Sequence, residues 1–122
     1  MVLWLLMEYI NWRGTMNKTF IVGRLYKDPE KVEGQDMAKM VVSVKENYTK
    51  ADGTRPYTFF NVIVWNKMAE NCIKYLKKGS MVGICGRTQN RSYDAPDGTK
   101  RYISEIVAED IEFLTTGNKD VQ

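Results

Sequence analysis

The sequence predicts an all-β fold, a small five-stranded barrel carrying one helix, and three observations predict it. Five short runs rich in β-branched and aromatic residues recur along the chain, each stopped by Gly, Pro or Asx turn chemistry. Only one segment, after position 65, spaces its apolar residues for one face of a helix. A chain of 122 residues with 43% hydrophobic side chains is one domain's worth, without internal repeat or low-complexity stretch.

The first strand is Thr19 to Leu25, where Phe20, Ile21, Val22 and Leu25 favour extended backbone. It stops at Tyr26-Lys27-Asp28-Pro29-Glu30, because proline denies the ladder a donor. Gly34-Gln35-Asp36 turns the chain into a second strand, Met37 to Lys45, with Met40, Val42 and Val44 on one face and Val41, Ser43 and Lys45 on the other. Asn47 to Pro56, containing Asp52-Gly53, is a basic, polar hairpin loop too long for a two-residue turn. The third strand, Tyr57 to Trp65, sorts Phe60, Val62 and Val64 to one face and Phe59, Asn61, Ile63 and Trp65 to the other.

Asn66 is expected to cap the helix, whose Met68, Ala69, Cys72, Ile73 and Leu76 fall on one side. Lys77-Lys78 meet its negative C-terminal end and Gly79 stops it. A fourth strand, Met81 to Tyr93, and a fifth, Arg101 to Leu114, are joined through Asp94-Ala95-Pro96-Asp97-Gly98-Thr99, a hairpin signal. Three strands, a helix and two strands, in that order, is the OB-fold arrangement, whose strand faces and loops bind oligonucleotides or oligosaccharides. The domain is expected over 16–114, with 115–122 as a short disordered tail.

Met1 to Thr15 starts apolar but lacks the basic n-region and small-residue cleavage site of a secretory signal. An arm packing on the domain or a partner, a membrane-touching stub and a translated leader are the readings open to it. The last is preferred, with Met16 as the natural start. Trp12 requires TGG and Arg13-Gly14 admits AGG-GGN, a purine-rich ribosome site ahead of Met16.

Several chemistries are excluded. The chain has no histidine, hence no Ser-His-Asp triad, no Cys-His pair and no His-liganded zinc. Cys72 and Cys85 make neither a CxxC pair nor a disulfide framework, and both read as reduced thiols, Cys85 as a small buried hydrophobe in its apolar run. Gly83 and Gly86 lack the spacing of a phosphate loop. Among the carboxylates of the last strand, alternation puts Glu105 and Glu109 on one face and Asp110 and Glu112 on the other, a solvated arrangement rather than a metal cage. No enzymatic activity, metal or cofactor is expected.

The functional signal is aromatic residues interleaved with cations on long strands and hairpins. A barrel interior needs one face of each strand, so Phe59 and Trp65 must be covered by a subunit, the helix or a flat ligand. Unpaired bases supply such a ligand, stacking on aromatic side chains for about 1–3 kcal/mol each. Tyr48 stands at the base of the first long hairpin and Tyr93 ends the fourth strand, while Lys45, Lys50, Arg55, Arg87, Arg91, Lys100 and Arg101 lie near these rings. A net charge of +3 permits a polyanion without demanding one. Arg87, Arg91, Lys100 and Arg101 gather on the last hairpin, where an arm can track several phosphates. An OB module for protein assembly and an OB-fold RNA binder are the competing readings.

Met16-Asn17-Lys18, Ile21-Val22-Gly23-Arg24-Leu25 and Asp28-Pro29-Glu30 resemble the opening of the bacterial single-stranded DNA-binding protein family. Val64-Trp65-Asn66-Lys67-Met68-Ala69-Glu70 and Tyr75-Leu76-Lys77-Lys78-Gly79-Ser80 resemble its third strand, helix and following turn. Gly86-Arg87, Arg91-Ser92-Tyr93 and Arg101-Tyr102 resemble its long hairpin. The resemblance implies sequence-independent binding of single-stranded DNA in replication, recombination or repair, with base stacking at Tyr48, Phe59, Trp65 and Tyr93. It also implies a bacterial cytoplasmic protein, chromosomal or carried by a phage or mobile element, and self-assembly into a homotetramer, with a dimer as the alternative. Phe60 stands where the family often places an interface histidine. Replicative members end in a flexible segment with an acidic tip that recruits partner enzymes. This chain stops at Asp120-Val121-Gln122, so the resemblance implies weak recruitment.

Overall fold

Alternation of inward and outward residues shapes the strands of the computed structural model, which describes residues 2–13 and 15–115. The elements are α1 (Val2–Arg13), β1 (Thr19–Leu25), β2 (Glu30–Lys31), β3 (Met37–Lys45), β4 (Tyr57–Trp65), α2 (Asn66–Tyr75), β5 (Met81–Asp94) and β6 (Lys100–Thr115). Strands β1, β3 and β4 keep the boundaries expected from the sequence, and β5 and β6 each run slightly longer. Two elements were not expected. The two-residue β2 pairs with Lys39 and Ala38 of β3, too short for a periodic pattern to mark it. Helix α1 forms in a segment without Gly or Pro and exposes Leu3, Trp4, Leu5 and Met7. No helix among the described residues is long and apolar enough to cross a membrane.

The sheet order is β1-β5-β6-β4-β3-β2, and β1 also meets β3, which closes a ring. Strands β3 and β4 pair along their whole length, as do β5 and β6. Two short seams finish the ring: β1 meets β3 at Arg24–Ser43 and Leu25–Val42, and β4 meets β6 in parallel at Val62–Ile106 and Ile63–Val107. Close crossing at the β1–β3 seam, and at the β5–β6 bulge next to the other seam, requires glycine. A methyl group on Gly23 would strike the Ser43 carbonyl, and one on Gly86 the Val107 carbonyl.

Met40, Val42, Val62, Val64 and Val82 are fully enclosed in the ring, and Ala69, Cys72 and Leu76 of α2 pack onto the same core. Burial pushes the Cys72 thiol up to about 11. Cys85 corrects the expectation of a buried residue, because Val82, Ile84 and Gly86 take the inward positions of β5 and leave Cys85 half-buried on the outside.

The junction of β4 and α2 also differs from expectation. Asn66 does not cap the helix. Extended Trp65 is the capping residue, without a side-chain capping bond, and Asn66 is the first helical residue, at φ 57°. Its N–H donates to the Asp36 carbonyl at 2.8 Å. The helix is amphipathic as read, with Met68 half-buried and Ile73 at its exposed margin. After it, Gly79 adopts φ 92° and its N–H donates to the Leu25 carbonyl at 2.9 Å, tying the helix exit to the end of β1. Thr115, placed in the tail by the sequence, closes β6, and the rest of that expected tail lies outside the described residues.

Candidate nucleic-acid interface

The outward faces of β3, β4, β6 and β5 join into one surface across the β4–β6 seam. Lys39 stands opposite Ile63, Ile63 beside Val107, and Val107 opposite Arg87, so one row crosses all four strands. Next along β4, Ser43 faces Phe59 and Lys45 faces Tyr57, while Met37 faces Trp65 at the other end. On the hairpin, Arg91 faces Ile103 and Tyr93 faces Arg101.

The four aromatic residues singled out from the sequence remain accessible: Tyr48 is 60% exposed, Phe59 51%, Trp65 43% and Tyr93 46%. Phe59 and Trp65 share the outward parity of β4 while Val62 and Val64 fill the ring, and Phe60 packs partly buried against the core. Phe59 and Trp65 lie six residue steps apart along the strand, about 20 Å at the usual rise. Tyr48 lies in the β3–β4 loop, and Tyr93 stands near the end of the β5–β6 arm.

The expected cations divide into two groups. Lys45, Lys50 and Lys100 are exposed and make no ion pair among the described residues. The arginines are held by the protein itself. Arg55 donates Nε and Nη2 to the Glu46 carbonyl at 2.8 and 2.6 Å, bracing the base of the hairpin loop. Arg101 reaches Asp97 Oδ2 at 3.2 Å and Arg87 reaches Gln89 Oε1 at 3.4 Å. Arg91 grips Glu105 with both arms of its fork, Nε to Oε1 at 3.1 Å and Nη2 to Oε2 at 3.0 Å. Its side chain is still 44% exposed, so an edge of the guanidinium faces solvent.

Glu105 corrects the sequence reading of a solvated carboxylate. It is 3% exposed, and the Arg91 hydrogen bonds hold its carboxyl below the usual range against the opposing effect of burial. The expected alternation also fails further along β6. Ile106 and Ala108 point inward before a bulge opposite Cys85–Gly86, whereas Ile111 and Phe113 do so after it. The bulge therefore brings Asp110 and Glu112 to the same outward side as Glu105. Among the described residues no group of acids or cysteines is placed to hold a metal ion.

Three residues on or beside this face escaped the sequence reading. Lys39 shares the parity of Val41, Ser43 and Lys45, and Tyr57 that of Phe59, so alternation was the available signal for both. Tyr26 follows the last residue of β1, where strand periodicity ends. Its N–H donates to the Val41 carbonyl at 2.8 Å, which turns the ring onto Phe59 with centroids 5.0 Å apart and planes at 72°.

A closed ring of strands with one helix at its core, bearing half-exposed rings and cations on a shared outer face, defines an OB-fold binding module. The profile of the Single-strand binding protein family matches residues 16–114. The chain is 44% identical over 108 residues to the Single-stranded DNA-binding protein of Clostridium tetani, covering 85% of this chain and 74% of that protein. It is 43% identical over 108 residues to Single-stranded DNA-binding protein 1 of Staphylococcus aureus, covering 86% and 69%. A solved chain of the Plasmodium falciparum SSB complex with ssDNA has the same fold, with a TM-score of 0.71 at 21% identity over 83% of this chain and 97% of that one. This chain belongs to the single-strand binding protein family.

Proposed function

We propose that the chain captures single-stranded DNA without regard to sequence, stacking bases on Tyr48, Phe59, Trp65 and Tyr93. Lys45, Lys50, Lys100 and the solvent edges of Arg55, Arg87, Arg91 and Arg101 neutralise the backbone. The observation that carries this reading is the exposure of four aromatic rings on a cation-bearing surface, where unpaired bases can stack on them. No bond of the strand is made or broken. Holding a strand in this way protects it during replication, recombination or repair, in the bacterial cytoplasm.

Self-association into a homotetramer belongs to the same proposal. Phe20 and Val22 of β1 and Leu114 of β6 are exposed on the outside of the sheet, and Val22 and Leu114 flank Gly83. Apolar side chains on one sheet face are what a second copy covers.

Titration of labelled oligothymidylate, with light scattering on the same sample, tests both parts. Log affinity is expected to fall linearly with log salt, by about 0.7 for each phosphate neutralised, as counterions are released. Duplex of equal length is expected to bind far more weakly, and Trp65 emission to be quenched by the single strand. Equal affinity for duplex would sink the stacking mechanism, tighter binding of an equal RNA strand would move the function to RNA, and a monomeric mass would remove the tetramer.

A further inference from the structure

Resting on that reading, we propose a further base subsite beside the Phe59 stacking position: a cleft walled by Tyr26, Tyr57 and Phe59 that takes one unpaired base, with Arg24 and Lys78 at its rim for the adjoining phosphate. The cleft measures about 310 Å³, and Ser43 completes its lining between β1 and β4. That volume is at the small end of ligand clefts, which run from about 300 Å³ upward. Its three rings are each about half exposed, Tyr26 at 57%, Tyr57 at 54% and Phe59 at 51%. A second depression, about 260 Å³, lies where Tyr26 and Phe59 meet Lys27 and Val41, so the edge-to-face pair stands as a ridge with apolar space beside it.

The floor and rim of the cleft are braced by the protein's own hydrogen bonds. The Leu25 N–H donates to the Ser80 carbonyl and the Gly79 N–H to the Leu25 carbonyl, each at 2.9 Å. Arg24 Nη1 donates to the Gly79 carbonyl at 2.9 Å, and the Lys78 N–H donates to Asp28 Oδ1 at 2.7 Å. A braced cleft loses little conformational freedom on filling. Its chemistry selects the occupant. Flat apolar walls accept a base plane, and two cations with no carboxylate in the lining favour the anionic backbone beside it. A second copy docking with its two-fold axis through the cleft would set Arg24 and Lys78 against the same two cations, which opposes that contact.

Oligothymidylate carrying 5-iodouracil at single positions provides the probe, with photo-crosslinked peptides mapped on the unaltered chain and affinities measured for Tyr26→Ala, Tyr26→Phe and Tyr57→Ala. Adducts are expected on Tyr26 or Tyr57. Each alanine variant is expected to lose at least about fivefold in affinity with its melting temperature kept, and Tyr26→Phe to stay near the unaltered value. Where Tyr26→Ala fails to fold, Tyr57→Ala and the crosslink map decide. Normal strand binding with unchanged affinity in the alanine variants and adducts elsewhere overturns the cleft alone. An alanine variant that changes the assembly's mass and loses affinity only through that change overturns it in favour of a subunit contact. Failure of the unaltered chain to bind any strand overturns the parent reading and the cleft with it.

Discussion

Phe59 and Trp65 show how a single strand position divides a packed side chain from an exposed one. Their neighbours Val62 and Val64 are enclosed, while these two rings keep half or nearly half of their surface, so truncating them removes little from the core. Phe59→Ala and Trp65→Ala are each expected to weaken single-strand binding by about 1–3 kcal/mol. Their melting curves should stay close to that of the unaltered chain, as thermal unfolding beside an affinity titration will show. Collapse of both variants would return the rings to a structural role. Parity along β4 made these positions legible, since its register with β3 is unbroken by any bulge. Tyr26 was illegible because its orientation depends on a hydrogen bond to Val41, a residue on another strand.

Pairing between elements decides what the sequence could not. The fork between Arg91 on β5 and Glu105 on β6 sits beyond the bulge, Glu105 three rungs and Arg91 five from the Gly86–Ala108 rung where alternation breaks, and neither register nor bulge is written in one strand alone. Simple alternation therefore located the strands but misjudged Glu105, whose burial comes from its neighbours across the sheet. Its consequence is a pH dependence. Folded Glu105 holds its proton less tightly than the ordinary value of 4.5, so the unfolded chain takes up a proton first as pH falls. The stabilisation is complete above that ordinary value and is lost as pH falls through the lower folded one. Glu105→Gln is expected to cost about 1–3 kcal/mol near neutrality, with the gap to the unaltered chain closing on acidification. Urea unfolding across pH checks this, and a gap independent of pH would refute the charged pair. At the same scale, the absence of a side-chain cap at Asn66 reflects a strand that runs straight into its helix, a joint fixed through Asp36 rather than by a local signal.

Across the whole molecule, most of the architecture was legible: the strand order around one helix follows from short apolar runs and turn residues, and the ring, core and outward aromatics agree with it. Closure was not, because it depends on Gly23 and Gly86 admitting a neighbouring backbone and on the brief parallel junction of β4 with β6. That junction has a mechanical meaning. It joins two well-knit halves, β3 with β4 and β5 with β6, through Val62–Ile106 and Ile63–Val107, while β1 bridges the same halves on the other side of the ring, and the row from Lys39 to Arg87 lies directly over it. A polyanion laid along that row is expected to act as a splint: with Lys39 drawing it from one half and Arg87 from the other, prising the halves apart there would mean tearing phosphates from one side. Amide deuterium uptake at Ile63 and Val107 is expected to slow when oligothymidylate is added, more than uptake within the β3–β4 ladder. A uniform slowing throughout the sheet would mean that the strand steadies the molecule without bridging this junction.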